Sequence, residues 1–216
     1  TGSGEVYLAS EAGVGIDPGG RVRVLAANTE IGQGTNTIFA QIAADALGLP
    51  YEKVEVAVPD TAQVPNSGPT VASRTCMVVG GLVQRAALKL KAAVEGAGGS
   101  FKNPKKLKAA AAALCAGAPE ARFIVKYEQP DWITWDEKAY RGDAYGCYSY
   151  GCVVVDLEID RSTYEVRVRE LITAQDIGKA IHPLLAEGQI IGGIAQGLGY
   201  ALLENVVMKD GAMINP

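Results

Sequence analysis

The stretch Ile16-Asp17-Pro18-Gly19-Gly20-Arg21-Val22-Arg23-Val24-Leu25, followed by Glu30-Ile31-Gly32-Gln33-Gly34, decides the fold. Asp17-Pro18-Gly19-Gly20 reads as a turn, because proline presets φ and glycine supplies positive φ. Beyond it Val22 and Val24 alternate with Arg21, Arg23 and Leu25, which predicts a strand over 21–25. A strand over 6–16 is expected before the turn. After Gly34 the spacing predicts a helix over 35–47, with Ile38, Ile42 and Ala46 on its buried stripe and Gly48 as its stop. Val54, Val56 and Val58 predict a third strand over 52–58. A polar loop over 60–73 follows, then a helix over 75–94 with Val79, Leu82, Val83, Ala86 and Leu90 inward.

The same order recurs further on. Ile159-Asp160, a turn through Arg161-Ser162-Thr163, and Val166-Arg167-Val168 repeat the Ile16 to Val24 pattern, and Glu30-Ile31-Gly32 recurs as Asp176-Ile177-Gly178. Strands are expected over 148–159 and 165–172, and a helix over 183–203 with Pro183 at its first position and Glu187 near its positive end. The fold class is therefore α+β: two similar sub-halves, each a strand-turn-strand-loop-helix unit on a mixed sheet, packed with helices. Their expected bounds are 1–96 and 135–216, with 97–134 a linker containing a helix. Within the linker, Lys102, Lys105, Lys106 and Lys108 read as a solvated helix face. The chain starts at Thr1 without a methionine and stops at Pro216, just after a hairpin turn at Lys209-Asp210-Gly211. Those two features suggest a piece of a longer protein.

Composition narrows the function. With 216 residues, 48% hydrophobic, 20% charged and a net charge of -4, the chain can bury a core and lacks the concentrated positive surface that nucleic acid requires. The longest uncharged apolar stretch, 189–203, is too short and too rich in glycine to span a bilayer. Cys76, Cys115, Cys147 and Cys152 form no C-x-x-C pair. They read as free, mostly buried thiols of a cytoplasmic protein.

Imidazole-based catalysis is poorly served, since the one histidine, His182, precedes Pro183 at a helix start, where a structural role is favoured. No pair of carboxylates recurs at a catalytic spacing. The distinctive loops carry amides, hydroxyls and glycines instead. Gly32-Gln33-Gly34 at a helix start is either a plain tight turn or a place where the backbone approaches an anionic ligand. Val64-Pro65-Asn66-Ser67-Gly68-Pro69-Thr70-Val71-Ala72-Ser73 is stiffened by its prolines, is rich in hydrogen-bonding groups, and also ends at a helix start. In Gly188-Gln189-Ile190-Ile191-Gly192-Gly193-Ile194-Ala195-Gln196-Gly197-Leu198-Gly199, each helical glycine costs about 1 kcal/mol relative to alanine. Close packing against neighbours or a ligand is the expected compensation, with Gln196 as a polar side chain on an otherwise apolar helix.

These three motifs, in this order, resemble the second half of the molybdenum-cofactor-binding region of the xanthine dehydrogenase and aldehyde oxidase family of molybdenum hydroxylases. The resemblance covers most of the chain and is weakest over 95–130. It implies an oxidoreductase that hydroxylates an aldehyde or N-heterocycle with oxygen from water, and a cofactor of molybdopterin, or its cytosine dinucleotide form, carrying molybdenum. It implies that Gln33, with Gly32 and Gly34, bonds the pterin side. Ala72 would lie near the metal, Ser73, Thr75 and Cys76 would line the pterin and phosphate tail, and Gln196 would bond the cofactor from the long helix. No side chain would ligate the metal. The family's glutamate base has no match before Pro216, so no catalytic residue is expected here and the chain alone would be inactive. Implied partners are the other half of the molybdenum region, iron–sulfur and FAD domains or subunits, and a small-molecule substrate. His182 stands where the family has asparagine. A competing reading from the residues is a non-catalytic module that binds an anionic nucleotide at the helix starts near Gly34 and Ser73.

Overall fold

The computed structural model describes residues 2–215; Thr1 and Pro216, which bound the sequence as read, lie outside the described residues. The chain divides into two compact units, the first ending at Cys147 and the second beginning at Tyr148.

The first unit opens with a helical turn, α1 (Glu5–Leu8), where a strand over 6–16 was expected. Ala9 ends it in the left-handed conformation (φ 47), so the strand β1 (Glu11–Ile16) starts only after that reversal. Strands β2 (Val22–Leu25), β3 (Val54–Val56) and β4 (Ala121–Lys126) complete a mixed sheet in the order β3-β2-β1-β4. The β2–β3 pair is parallel and the other pairs are antiparallel. β3 is shorter than the expected 52–58 because Tyr51–Lys53 form a turn of 3-10 helix. Helices α2 (Thr35–Leu47), α3 (Gly80–Gly96) and α4 (Pro104–Cys115) share one core with this sheet.

Segment 97–134 is not a connector. It supplies α4, whose Leu107, Ala110 and Ala111 join the core, and β4, which pairs with β1 along its length from Glu11↔Lys126 to Ile16↔Ala121. Its lysines do form an exposed face. The α2 stripe is also rotated from the sequence pattern: Phe39, Ala40, Ala43 and Leu47 are buried, whereas Ile38, Ile42 and Ala46 pack at the margin. The buried face thus mixes the large Phe39 and Leu47 with the small Ala40, Ala43 and Ala44. Cys115 is buried, but Cys76, Cys147 and Cys152 are exposed, against the expectation of mostly buried thiols.

Val22 and Val24 face the main core, and Leu25 points the other way into a small cluster with Ala57 and Val64. On that outer face a side chain at Gly15 would collide with Glu120. The glycine leaves room for the Glu120 carboxylate, which accepts from Arg23 Nε (3.0 Å) and Arg122 Nε (2.9 Å).

The second unit holds the hairpin β5 (Tyr150–Ile159) and β6 (Val166–Asp176), the helix α5 (Pro183–Leu202), and the two-residue strands β7 (Met208–Lys209) and β8 (Ala212–Met213). Its hairpin turn repeats the first: Asp17 N donates to Arg21 O and Asp160 N donates to Glu165 O, each at 3.0 Å. The Asp210-Gly211 turn has positive φ at both residues (50 and 80), as a two-residue hairpin requires. The packing does not repeat. No residue of α5 is buried, and a side chain at Gly192 or Gly193 would meet nothing within 4 Å, so the close packing expected of this helix is absent from its own unit. Between α5 and one hairpin face runs an apolar groove of about 640 Å³, lined by Val153, Val155, Leu157, Val168, Ile194 and Leu198 among others.

Stability of the first unit should rest on the α3 seam. Leu82→Ala, at a fully buried position, is expected to cost about 2–5 kcal/mol. Urea unfolding followed by tryptophan fluorescence measures this directly, since Trp132 and Trp135, the chain's two tryptophans, both lie in this unit.

Candidate functional site

Two loops of the first unit meet: the one leaving β2 toward α2, and the one that precedes α3. Ser67, fully buried, stitches the second loop to the sheet by donating to Glu11 O (2.9 Å) and accepting from Ala27 N (2.9 Å). Thr70 Oγ1 accepts from Thr29 N (3.0 Å) and from Asn28 Nδ2 (3.3 Å), and Asn28 Nδ2 also reaches Thr75 Oγ1 (3.5 Å). Asn28 is buried, and its Oδ1 has no hydrogen-bond partner among the described residues. An orphaned buried acceptor of this kind costs about 1–3 kcal/mol.

The anchor of the second loop is Arg74, 1% exposed, paired with Glu5, 3% exposed. Its guanidinium uses all the donors such a group possesses. Nε donates to Glu5 Oε1 (2.7 Å) and Nη2 to Glu5 Oε2 (2.9 Å). Nη1 donates to Ser67 O (3.0 Å) and Pro69 O (2.9 Å), and Nη2 also donates to Ser10 Oγ (2.6 Å). Directly before it, Ala72 (φ 53) and Ser73 (φ 54) are both left-handed. Each costs roughly 1–2 kcal/mol for an L-residue, so two in succession need a firm hold on the chain, and Arg74 provides it. Both residues are exposed, and their N–H groups make no hydrogen bond among the described residues. The result is a consecutive pair of unpaired donors, suited to an anionic oxygen. The helix beyond begins as a π-helical turn, Thr75–Val79, which passes into α3.

The Gly32-Gln33-Gly34 loop is closed on itself. Glu30 Oε1 accepts from Gly32 N (2.9 Å) and Gly34 N (3.0 Å), and Oε2 accepts from Asn36 N (3.0 Å). The carboxylate thus fills the α2 N-terminus, where the helix dipole favours a negative charge. Desolvation opposes its ionisation, but the N–H donors of Asn36, Gly34, Gly32 and Thr35 outweigh this and hold Glu30 below the ordinary glutamate range. Gln33 is committed as well: Oε1 accepts from Ile31 N (2.7 Å), and Nε2 donates to Thr29 O (2.7 Å) and Thr35 Oγ1 (2.8 Å). In the repeat, Asp176 Oδ1 accepts from Gly178 N (3.0 Å), the counterpart of the Glu30 to Gly32 contact.

Of the residues expected to bind a cofactor, the structure brings together Gly32, Gln33, Gly34, Ala72, Ser73, Thr75 and Cys76 on these two joined loops. Cys76 is exposed as a residue, yet burial of its thiol pushes the pKa up. Gln196 lies in the second unit, exposed and off the α5 face that lines the groove. His182 caps α5, its Nδ1 accepting from Leu185 N (3.2 Å), which is the service an asparagine would give. Sequence reasoning did not single out Glu5, Asn28 or Arg74. The available signal was a lone arginine between an uncharged loop and an apolar helix, a place where an unpaired guanidinium would not be buried.

Two outcomes follow. Arg74→Met should destabilise the first unit by about 3–5 kcal/mol, because it removes both charge-assisted hydrogen bonds from the buried Glu5 carboxylate, and Arg74→Lys should recover little, since an ammonium cannot reproduce the planar fork; urea midpoints measure both. Because the folded pKa of Glu30 is depressed, its stabilisation is complete above the ordinary glutamate range and is lost as pH falls through its lowered value. Glu30→Gln should therefore flatten the acid side of a plot of urea midpoint against pH.

Residues 2–216 match the family described as "Molybdopterin cofactor-binding domain". The xanthine dehydrogenase molybdenum-binding subunit of Escherichia coli O157:H7 is 31% identical, over 91% of this chain and 28% of its own length. The aldehyde oxidoreductase of Megalodesulfovibrio gigas is 30% identical over 91% of this chain and 21% of its own. Among solved structures, quinoline 2-oxidoreductase from Pseudomonas putida 86 superposes with a TM-score of 0.75 at 30% identity, covering 96% of this chain and 28% of that one. The chain thus spans between about a fifth and a little over a quarter of the length of these relatives. Among the described residues, no helix is long and apolar enough to cross a membrane.

Proposed function

The chain belongs to the molybdopterin cofactor-binding domain family, and from that premise we propose that it is a segment of a molybdenum hydroxylase whose joined loops hold molybdopterin, or its cytosine dinucleotide form. The observation that carries the reading is the pair of exposed, unpaired N–H groups at Ala72 and Ser73, fixed in place by Arg74. Such donors suit the oxygen-rich, anionic part of the cofactor. The residue set also fits a group that brings its own metal ligands, since no cluster of three or more His, Cys, Asp or Glu suitable for a metal occurs among the described residues.

In this assignment Ser73, Thr75 and Cys76 flank the cofactor and Ala72 approaches it through the backbone. Gly32, Gln33 and Gly34 form the wall of the pterin side, and Gln196 contributes from α5. Since Glu30 already occupies the α2 N-terminus, that wall receives a neutral heterocycle and repels a phosphate, which weakens the competing nucleotide-module reading. When bound, the cofactor supplies a redox centre at which a substrate carbon is hydroxylated with oxygen from water. The chain's own residues bind and orient it, and no proton-transfer role is assigned to any of them.

The relatives' names include xanthine dehydrogenase, aldehyde oxidoreductase and quinoline 2-oxidoreductase. We extend to this chain the shared substrate class, an aldehyde or an N-heterocycle, with iron–sulfur and FAD domains or subunits and the other half of the molybdenum region as partners. The free thiols fit a reducing, cytoplasmic setting.

The test is to purify the parent protein, assay molybdenum and pterin, and present aldehydes, purines and quinolines in water labelled with heavy oxygen. One molybdenum and one pterin per chain, with label in the hydroxylated product, is the expected result. A parent protein that carries a nucleotide and no molybdopterin would overturn the proposal. The 216-residue chain alone is expected to show no hydroxylase activity.

A further inference from the structure

Asn28 takes no part in the expected binding set, yet it occupies the junction of the two loops. It is 3% exposed. Its Nδ2 is shared between Thr70 Oγ1 on one loop and Thr75 Oγ1 at the start of the helical turn (3.3 and 3.5 Å), and its Oδ1 is sealed from solvent without a partner among the described residues. Neighbouring Thr29 repeats the link through its N–H to Thr70 Oγ1 (3.0 Å) and lends its carbonyl to Gln33 Nε2 (2.7 Å). One carboxamide therefore joins the wall carrying Gln33 to the segment carrying Ala72, Ser73 and Thr75.

Both contacts are long, and the carbonyl end is unused. If the clasp served only the fold, an apolar side chain of the same shape would serve as well or better, because replacing a half-bonded buried amide removes an unsatisfied group. The unused carbonyl finds a partner if the loops close further when the site is filled, bringing a hydroxyl or N–H donor onto Oδ1.

Resting on the proposed function, we propose that Asn28 is a positioning residue of the molybdopterin site: it sets the separation of the two loops, and its unpaired carbonyl becomes bonded only when the cofactor is held. The cofactor then gains affinity from a hydrogen bond it does not itself touch, as outer groups do around metal centres.

The test uses the full-length parent protein, prepared with molybdopterin and, from a host unable to make the pterin, without it. Wild type and Asn28→Leu are compared in pterin retained per chain and in the rise of Tm on loading. The expected result is a cofactor-free Tm for Asn28→Leu close to wild type, pterin retention lower by roughly tenfold, and a Tm rise on loading less than half that of wild type. Equal lowering of Tm in both forms with pterin retention unchanged would overturn the inference and leave Asn28 as structural support. Should Asn28→Leu fail to fold, Asn28→Ala is read by the same two measurements. A wild-type parent that retains no molybdopterin is a different outcome, which defeats the proposed function itself.

Discussion

A guanidinium enters the interior of the first unit at Arg74 and can stay there only because every one of its donors is met. Glu5 takes it with both carboxylate oxygens, and the Ser67 and Pro69 carbonyls and the Ser10 hydroxyl take the rest. This single pairing fixes α1 against the loop before α3 and holds the start of β1 beside that loop. It also sustains two left-handed residues, Ala72 and Ser73, that an L-chain would otherwise avoid. The exposed donors of the site are thus a by-product of a buried charge pair 69 residues apart in sequence.

The two helix starts at the site have opposite character as a consequence. At α2 the chain supplies its own anion, Glu30, and closes Gln33 onto its own backbone. At Ala72 and Ser73 nothing in the described chain claims the N–H groups. One side of the site is electrostatically satisfied and suited to a neutral ring, and the other is open to an anionic group. The internal repeat copies the first of these features, through Asp176 and Gly178. The second unit also leaves α5 without a buried residue, so the two units share similar turns and differ in their degree of packing.

Much of this was legible in advance. The α2 bounds, the Asp17 and Asp160 hairpins and the Asp210-Gly211 turn are local matters of period, proline and glycine, and the structure has them. The three loop motifs pointed to the family to which the chain belongs. What escaped was non-local or competitive. β4 was missed although Phe123-Ile124-Val125 carries a strand signal, because its place in the sheet depends on pairing with β1, more than a hundred residues earlier. α1 replaced the first part of an expected strand and places Glu5 on Arg74, and the α2 face is centred on Phe39, Ala40, Ala43 and Leu47 in place of Ile38 and Ile42. No spacing rule connects Glu5 to Arg74, or marks Asn28 as a clasp.

The central claim is that the donors at Ala72 and Ser73, and not those at Gly32 and Gly34, are the ones the cofactor engages. Amide hydrogen exchange on the parent protein, with and without bound molybdopterin, reads this directly. Strong slowing of exchange at Ala72 and Ser73 on loading, with little change at Gly32 and Gly34 where Glu30 already holds the hydrogens, is the predicted result. Slowing confined to residues 32–36, with Ala72 and Ser73 exchanging as fast as before, would contradict the account.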